Sequence, residues 1–328
     1  MSDEAILLLA HGTPDVLGEM AEYLSKVTGG RALPQEVVEE LQHRYAEIGL
    51  RDEPLVGGPP LTKWTLEQGR LLGEALGQRV YVGMRNWHPY IAETLETMRA
   101  DGVKRFKAIC LAPQNSRTST GLYRKATAAV AGGMEMTFVA GWAEHPLLAD
   151  AFAEKLRPVR EAAGETIPVL FTAHSVPCRT IMTGEASIAG ARPGTPVQTT
   201  PDPYPVEAKR TAQLVAERLG MTEQDWFFAF QSQGVSGGPW IGPTVEDTLK
   251  AIAASGYTGV IMQPVGFVCD HVEILYDIDV AFAQTARELG LKLWRAESLN
   301  DSPTLIRALA EVARGDWAAQ VDEVVAVP

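Results

Sequence analysis

The stretch from Pro89 to Gly102, Pro-Tyr-Ile-Ala-Glu-Thr-Leu-Glu-Thr-Met-Arg-Ala-Asp-Gly, has a counterpart from Pro243 to Gly256, Pro-Thr-Val-Glu-Asp-Thr-Leu-Lys-Ala-Ile-Ala-Ala-Ser-Gly. Proline, Thr-Leu, an apolar residue and the closing glycine recur at the same intervals. Each stretch predicts a helix with proline in its first turn, apolar residues three to four apart and glycine at its end. A buried-looking strand follows each, Arg105–Ala112 and Gly259–Val265. Pro146-Leu147-Leu148 pairs in the same way with Pro303-Thr304-Leu305, and two apolar runs end in Ala-His, at Ala10-His11 and Ala173-His174. The repeat predicts two similar α/β halves, residues 1–145 and 146–328, with a cleft between them and both histidines at strand ends facing it. The join falls on a helix from Pro146 to about Ala163.

Eight strands are expected: Ala5–Ala10, Val80–Met84, Arg105–Ala112 and Met136–Gly141, then Pro168–Ala173, Trp226–Gln231, Gly259–Val265 and Leu291–Ala296. They are continuous apolar runs rather than alternating ones, which suits parallel strands covered on both faces. Helical patterns between them give doubly wound, Rossmann-like halves, each with a four-stranded parallel sheet. Arg51–Pro60 and Cys178–Pro205 lack apolar periodicity, and loops of that kind serve as lids or binding loops.

At 328 residues the chain is long enough for two domains, and its formal charge of −12 argues against a nucleic-acid partner. Cys110, Cys178 and Cys269 are isolated and odd in number, which excludes a disulfide framework and a paired-cysteine metal site. The acidic start, Met-Ser-Asp-Glu, is unlike a signal peptide, and no apolar run reaches the ~18 residues of a membrane span. A cytoplasmic monomer is the expectation.

In open α/β sheets ligands bind beyond the carboxyl ends of the strands. His174, straight after a buried strand in Phe-Thr-Ala-His-Ser-Val-Pro, is a candidate base; the plain alternative is a turn histidine bonded to backbone. After the Gly259–Val265 strand comes Val265-Gly266-Phe267-Val268-Cys269-Asp270-His271-Val272-Glu273-Ile274-Leu275-Tyr276-Asp277. Glu273 and Asp277 stand one helical turn apart, where like charges repel, so the pair suits a cation or proton exchange. A solvated helix face is the alternative. Glycines from Gly234 through Gly237 and Gly238 to Gly242 do not match a dinucleotide fingerprint and read as a wall that admits a flat ligand. Trp240 and Trp87 are candidates to stack on such a ligand, against the commoner fate of core packing.

Together these motifs resemble the ferrochelatases, the class II chelatases that insert ferrous iron into a porphyrin in haem synthesis. The resemblance covers nearly the whole chain. It is carried by Ala173-His174-Ser175-Val176-Pro177, the Pro264–Asp277 stretch, Gln231-Ser232 to Trp240-x-Gly242-Pro243, Gly12-Thr13-Pro14, Arg44-Tyr45, Gly57-Gly58-x-Pro60-Leu61 and Tyr204-Pro205. It implies that His174 and Glu273 line opposite sides of the insertion centre. His174 would accept pyrrole protons or hold the metal transiently, Glu273 would be its acidic partner, and Asp277 would extend a path for iron or protons. It further implies Arg31, Arg44 and Arg85 as partners for propionates, with Tyr123 as a donor. His11 stands where the family often has tyrosine, methionine or phenylalanine; it is either a metal ligand from the other porphyrin face or a turn-bonding histidine. Ala281 replaces a third carboxylate of some relatives, so no second metal site is expected there. The family's cluster-binding cysteines are missing near the C-terminus, so no iron–sulfur cluster or other cofactor is expected. Arg51–Val56 and Cys178–Pro201 look like insertions. The resemblance leaves coproporphyrin III and protoporphyrin IX both open. The alternatives are a cobalt or nickel chelatase for a related tetrapyrrole, or a tetrapyrrole carrier without chemistry.

Overall fold

The computed structural model describes residues 3–191, 194–234, 238–317 and 320–323, so Gly237 of the expected glycine wall lies outside the described residues. In the first half β1 (Glu4–Ala10), β2 (Val80–Met84), β3 (Arg105–Cys110) and β4 (Glu135–Gly141) run parallel in the order β2-β1-β3-β4. In the second, β5 (Val169–His174), β6 (Trp226–Gln231), β7 (Gly259–Pro264) and β8 (Lys292–Arg295) run parallel as β6-β5-β7-β8. Matching each strand to its repeat partner makes the two orders identical. All eight expected strands are present. The first sheet departs from expectation by a fifth strand, β9 (Gln320–Glu323), which pairs antiparallel with β4.

Between β1 and β2 the chain forms α1 (Met20–Val27), α2 (Gln35–Glu47) and α3 (Pro60–Leu76); α4 (Ile91–Ala100) leads to β3, α5 (Thr120–Ala128) to β4 and α6 (Pro146–Ala163) to the second half. There α7 (Cys178–Ile181) and α8 (Tyr204–Arg218) lie between β5 and β6, and α9 (Val245–Ala254) leads to β7. The link to β8 is α10 (Val272–Leu275), a π-helical turn over Asp277–Phe282 and α11 (Ala283–Glu288); α12 (Pro303–Arg314) follows β8.

The repeat reaches the hydrogen bonds. Met84 N–H donates to the Pro89 carbonyl at 2.7 Å, and Phe230 N–H to the Pro243 carbonyl at 2.8 Å. Both prolines therefore extend a strand contact, and their helices start two residues later, at Ile91 and Val245, rather than at the prolines as the sequence suggested. β7 is buried throughout and β1 is buried except at Glu4, because helices cover both sheet faces. One core joins the halves: Leu148, Phe152 and Leu156 of α6 pack with Leu305, Leu309 and Val312 of α12 and with residues of both sheets. Each such side chain contributes about 1.5–3 kcal/mol by leaving water.

β1 and β5 each sit where successive crossovers depart in opposite directions, the switch point at which α/β sheets open a crevice. His174 ends β5, and His11 follows directly on β1. Close backbone approach follows. A side chain at Gly12, where φ is +88°, would put its Cβ 2.7 Å from the Trp87 backbone nitrogen, and one at Gly266 would stand 3.0 Å from Ala173. Gly266→Ala is expected to cost about 1–3 kcal/mol through overpacking at the β5 end. A urea melt measures it, and an unchanged midpoint would show that the turn after β7 has slack.

Candidate active site

His174 and Glu273 are in contact, Nε2 to Oε1 at 3.1 Å, with side chains 33% and 31% exposed. Both belong to the second half, so they stand side by side on one wall and not on opposite sides as the resemblance implied. The reason is topological: β5 and β7 are neighbours, so the loops leaving their carboxyl ends are neighbours too. The His174 Nδ1 meets the Ser175 carbonyl, which can only accept, so Nδ1 carries a proton. The Tyr204 hydroxyl donates to the His174 carbonyl at 2.7 Å and fixes the strand end.

Glu273 is held from several directions. Gln231 is buried; its Oε1 accepts from Thr172 Oγ1 at 2.6 Å and its Nε2 donates to the Glu273 carbonyl at 2.6 Å. His271 Nε2 lies 3.5 Å from Glu273 Oε2, while Nδ1 of the same ring bonds the Cys269 carbonyl at 3.0 Å. The preceding Asp270 accepts from Ser298 Oγ at 2.7 Å and from Asn300 Nδ2 at 2.9 Å. Gln68, from α3 of the first half, donates to the Asn300 carbonyl at 2.7 Å. His271 is a site residue that the motif alone does not single out; its spacing two residues before Glu273 is the signal that points to it.

Burial alone would pull the His174 imidazole down, but the Glu273 carboxylate and the Ser175 carbonyl raise it to about 9. Burial would push Glu273 up, yet the His174 and His271 rings hold it well below the usual carboxylate range. At neutral pH the pair is imidazolium and carboxylate. Its charge reaches far: burial pushes up the phenols of Tyr23, Tyr45, Tyr123 and Tyr204, and the Glu273 carboxylate adds to the rise in each. Since three of these tyrosines come from the first half and one from the second, Glu273 lies where the halves meet. Thr13, Tyr45 and Pro60 of the first half also line a small hollow with His271 and Val272.

Asp277 is only 7% exposed, so the solvated-face alternative fails for it. It accepts from Ser232 Oγ and lies 3.8 Å from Arg44. Burial and the neighbouring Glu273 charge raise it to about 6 against the pull of Ser232 and Arg44. Glu273 contacts His174 while Asp277 contacts Ser232 and Arg44, and the Asp277 charge still adds a smaller upward pull on His174. Arg44 is also paired with Glu40 and lies over the Tyr276 ring at 5.4 Å.

His11 lies across the junction, in the first half. Burial and the Arg85 charge pull its imidazole down to about 4, against smaller upward contributions from the Gly12 carbonyl and Glu273. Arg85 stands over the Tyr123 ring at 5.9 Å. Arg31 is exposed between α1 and α2, and its guanidinium makes no hydrogen bond or ion pair among the described residues. Trp240 is half-buried in a bridge with Pro177, its ring laid where a Gly234 Cβ would come within 2.9 Å. Trp87 is not a stacking surface: it is 3% exposed in a core with Met20, Tyr23 and Tyr45, and its Nε1 donates to Asp15 at 3.2 Å. Among the described residues no three His, Cys, Asp or Glu side chains converge as a ready-made metal cage.

A family model described as Ferrochelatase matches residues 3–316. Among similar proteins, the ferrochelatase of Acidobacterium capsulatum is 58% identical over 94% of this chain and 93% of its own length. The coproporphyrin III ferrochelatase of Geobacillus kaustophilus is 33% identical over 97% of each chain. Among solved structures, the cobalt complex of the sirohydrochlorin chelatase SirB from Bacillus subtilis subspecies spizizenii aligns with a TM-score of 0.51 at 10% identity, covering 95% of this chain and 94% of that one. That likeness is one of fold.

Replacing Glu273 tests the electrostatics directly. In Glu273→Gln the largest upward influence on His174 is gone and only the Ser175 carbonyl and the Asp277 charge still oppose burial, so the imidazole should fall from about 9 toward its ordinary 6.5, as read by NMR titration. The raised imidazole contributes stability fully below pH 6.5 and loses it as pH climbs through about 9, while the depressed carboxylate contributes above pH 4.5. The stability gap between parent and variant should be widest between those two values and close at alkaline pH.

Proposed function

The chain belongs to the ferrochelatase family, and we infer that its His174–Glu273 pair is the proton-handling centre for insertion of ferrous iron into a porphyrin, the ferrochelatase reaction of haem biosynthesis. The observation that carries this reading is the contact of imidazole and carboxylate at 3.1 Å, with the Tyr204 hydroxyl fixing the strand end beneath it.

Insertion exchanges two pyrrole N–H protons for one Fe2+, so a working site must receive two protons while a dication sheds water. At rest His174 already holds a proton. It becomes an acceptor only when that proton moves on, and an approaching dication favours the move by repelling the imidazolium. Glu273 is the adjacent oxygen through which the proton leaves. Asp277, poised at about 6, is the next carboxyl along and the one that exchanges protons most readily near neutral pH. Each pyrrole proton then replaces the one that has left His174. The same imidazole and carboxylates are proposed as transient ligands of iron during its transfer, since neutral imidazole and carboxylate oxygen both suit a first-row dication. His11 is proposed as a donor to the metal from the other porphyrin face.

Arg31 and Arg85, with Tyr123, are proposed to receive the porphyrin propionates; Arg44 contributes its charge beside Asp277. Trp240 is proposed to stack on the macrocycle. Iron is a substrate in this scheme, and no resident cofactor or iron–sulfur cluster is required. A cytoplasmic location and a monomeric state belong to the same proposal; no described helix is long and apolar enough to cross a membrane.

His174→Ala is expected to bind porphyrin while losing iron insertion by at least ~100-fold, the usual scale for a lost general base. Glu273→Gln should cripple insertion, and Asp277→Asn should chiefly raise the apparent iron requirement. Anaerobic steady-state assays with coproporphyrin III and protoporphyrin IX side by side measure all three and name the preferred porphyrin. Binding without turnover in the parent protein would identify a carrier instead.

A further inference from the structure

The turn after β2 presses a buried amide onto the histidine that ends β1. Asn86 is 2% exposed, and its backbone N–H donates to the His11 carbonyl at 2.9 Å. Its side-chain Nδ2 lies 3.0 Å from His11 Nε2. An amide nitrogen only donates, so Nε2 accepts with its lone pair and carries no proton. The imidazole proton is then on Nδ1, where two acceptors surround it. The Gly12 carbonyl is 3.1 Å away and the Tyr23 phenol oxygen is 3.1 Å away, and the Tyr23 hydroxyl sends its own proton to the Gly12 carbonyl at 3.2 Å. The neutral Nδ1–H tautomer is the assignment that satisfies all of these contacts. The tight turn at Gly12 against Trp87 keeps the segments in register.

We propose that Asn86 is a positioning residue that holds His11 in the Nδ1–H form and occupies its Nε2 lone pair, so that His11 ligates iron only by exchanging the Asn86 amide for the metal. This rests on the proposed role of His11 as a donor to the porphyrin-bound metal. The arrangement has a chemical logic. An open imidazole lone pair would capture free iron before the porphyrin arrives and would grip the metallated product afterwards. A lone pair already engaged by a buried amide is a weaker competitor at both stages. The other nitrogen, backed by Gly12 and Tyr23, keeps the ring oriented while Nε2 changes partner.

Two measurements on the full chain separate this inference from the reading beneath it. In porphyrin-free protein with 15N-labelled histidine, parent His11 should show its proton on Nδ1. Asn86→Asp, whose carboxylate accepts, should move the proton to Nε2, and Asn86→Leu should give a mixture. A parent proton on Nε2, or a tautomer indifferent to residue 86, overturns the proposal. In the second measurement the iron porphyrin product is bound. Asn86→Leu should gain a histidine–iron signature by resonance Raman spectroscopy that the parent has weakly or not at all. Its product release should slow by at least about tenfold, the low end of outer-sphere effects on metal binding. Both changes should vanish in the double variant His11→Phe/Asn86→Leu. Release at the parent rate with no new signature overturns the proposal as well. Failure of every variant and the parent to bind porphyrin would instead defeat the iron-insertion reading, while the tautomer measurement would still decide the role of Asn86.

Discussion

Parallel pairing of β5 with β7 leaves the two chains roughly 4.8 Å apart where they leave the sheet. The register runs to Thr172 opposite Pro264, and beyond it only a bare glycine fits, with Gly266 backed against Ala173. From there the chain has one course: a turn anchored by Asp270, then a short helix that delivers Glu273 beside His174. The contact between the two side chains is thus a consequence of strand adjacency. Once the carboxylate is in place, its field reaches the buried tyrosines and histidines of both halves. Gln231 of β6 holds the Glu273 backbone carbonyl, and Gln68 of α3 holds the carbonyl of Asn300, whose side chain in turn anchors Asp270.

The duplication makes a controlled comparison within one molecule. His11 and His174 follow alanine at the end of the central strand of equivalent sheets, yet one is pulled down to about 4 and the other raised to about 9. Burial lowers both. The neighbours decide the outcome: Arg85 deepens the fall of His11, whereas Glu273 reverses it for His174. At neutral pH one imidazole is neutral and the other charged. Two copies of one fold thus carry, at the ends of equivalent strands, imidazoles of opposite character.

Much of this was legible in the chain. Continuous apolar runs gave the eight parallel strands because burial on both faces leaves little room for polar residues. His174, Glu273 and Asp277 were nominated by their motifs. What the sequence did not carry was relative position. The side-by-side arrangement of His174 and Glu273 depends on strand order, which periodicity does not encode. Asp277 was expected one helical turn from Glu273; that Glu273 meets His174 while Asp277 meets Ser232 and Arg44 depends on which side chains the fold brings alongside. β9 escaped notice because four residues pairing at an edge have too little pattern. Trp87 was ambiguous for another reason: an indole suits a ligand or a core equally, and only its neighbours decide.

The return of β9 to β4 changes the mechanics of the molecule. The chain passes between the halves once through α6 and again after α12, and those two helices pack on each other. Lobes joined by one tether swivel freely about it. A second tether beside the first restricts that freedom, and the apolar core shared by α6, α12 and both sheets restricts it further. The two surfaces that face one another beyond the strand ends are thus kept in one alignment by elements lying well behind them, and registration of the halves resides in that backing as much as in the side chains at the front.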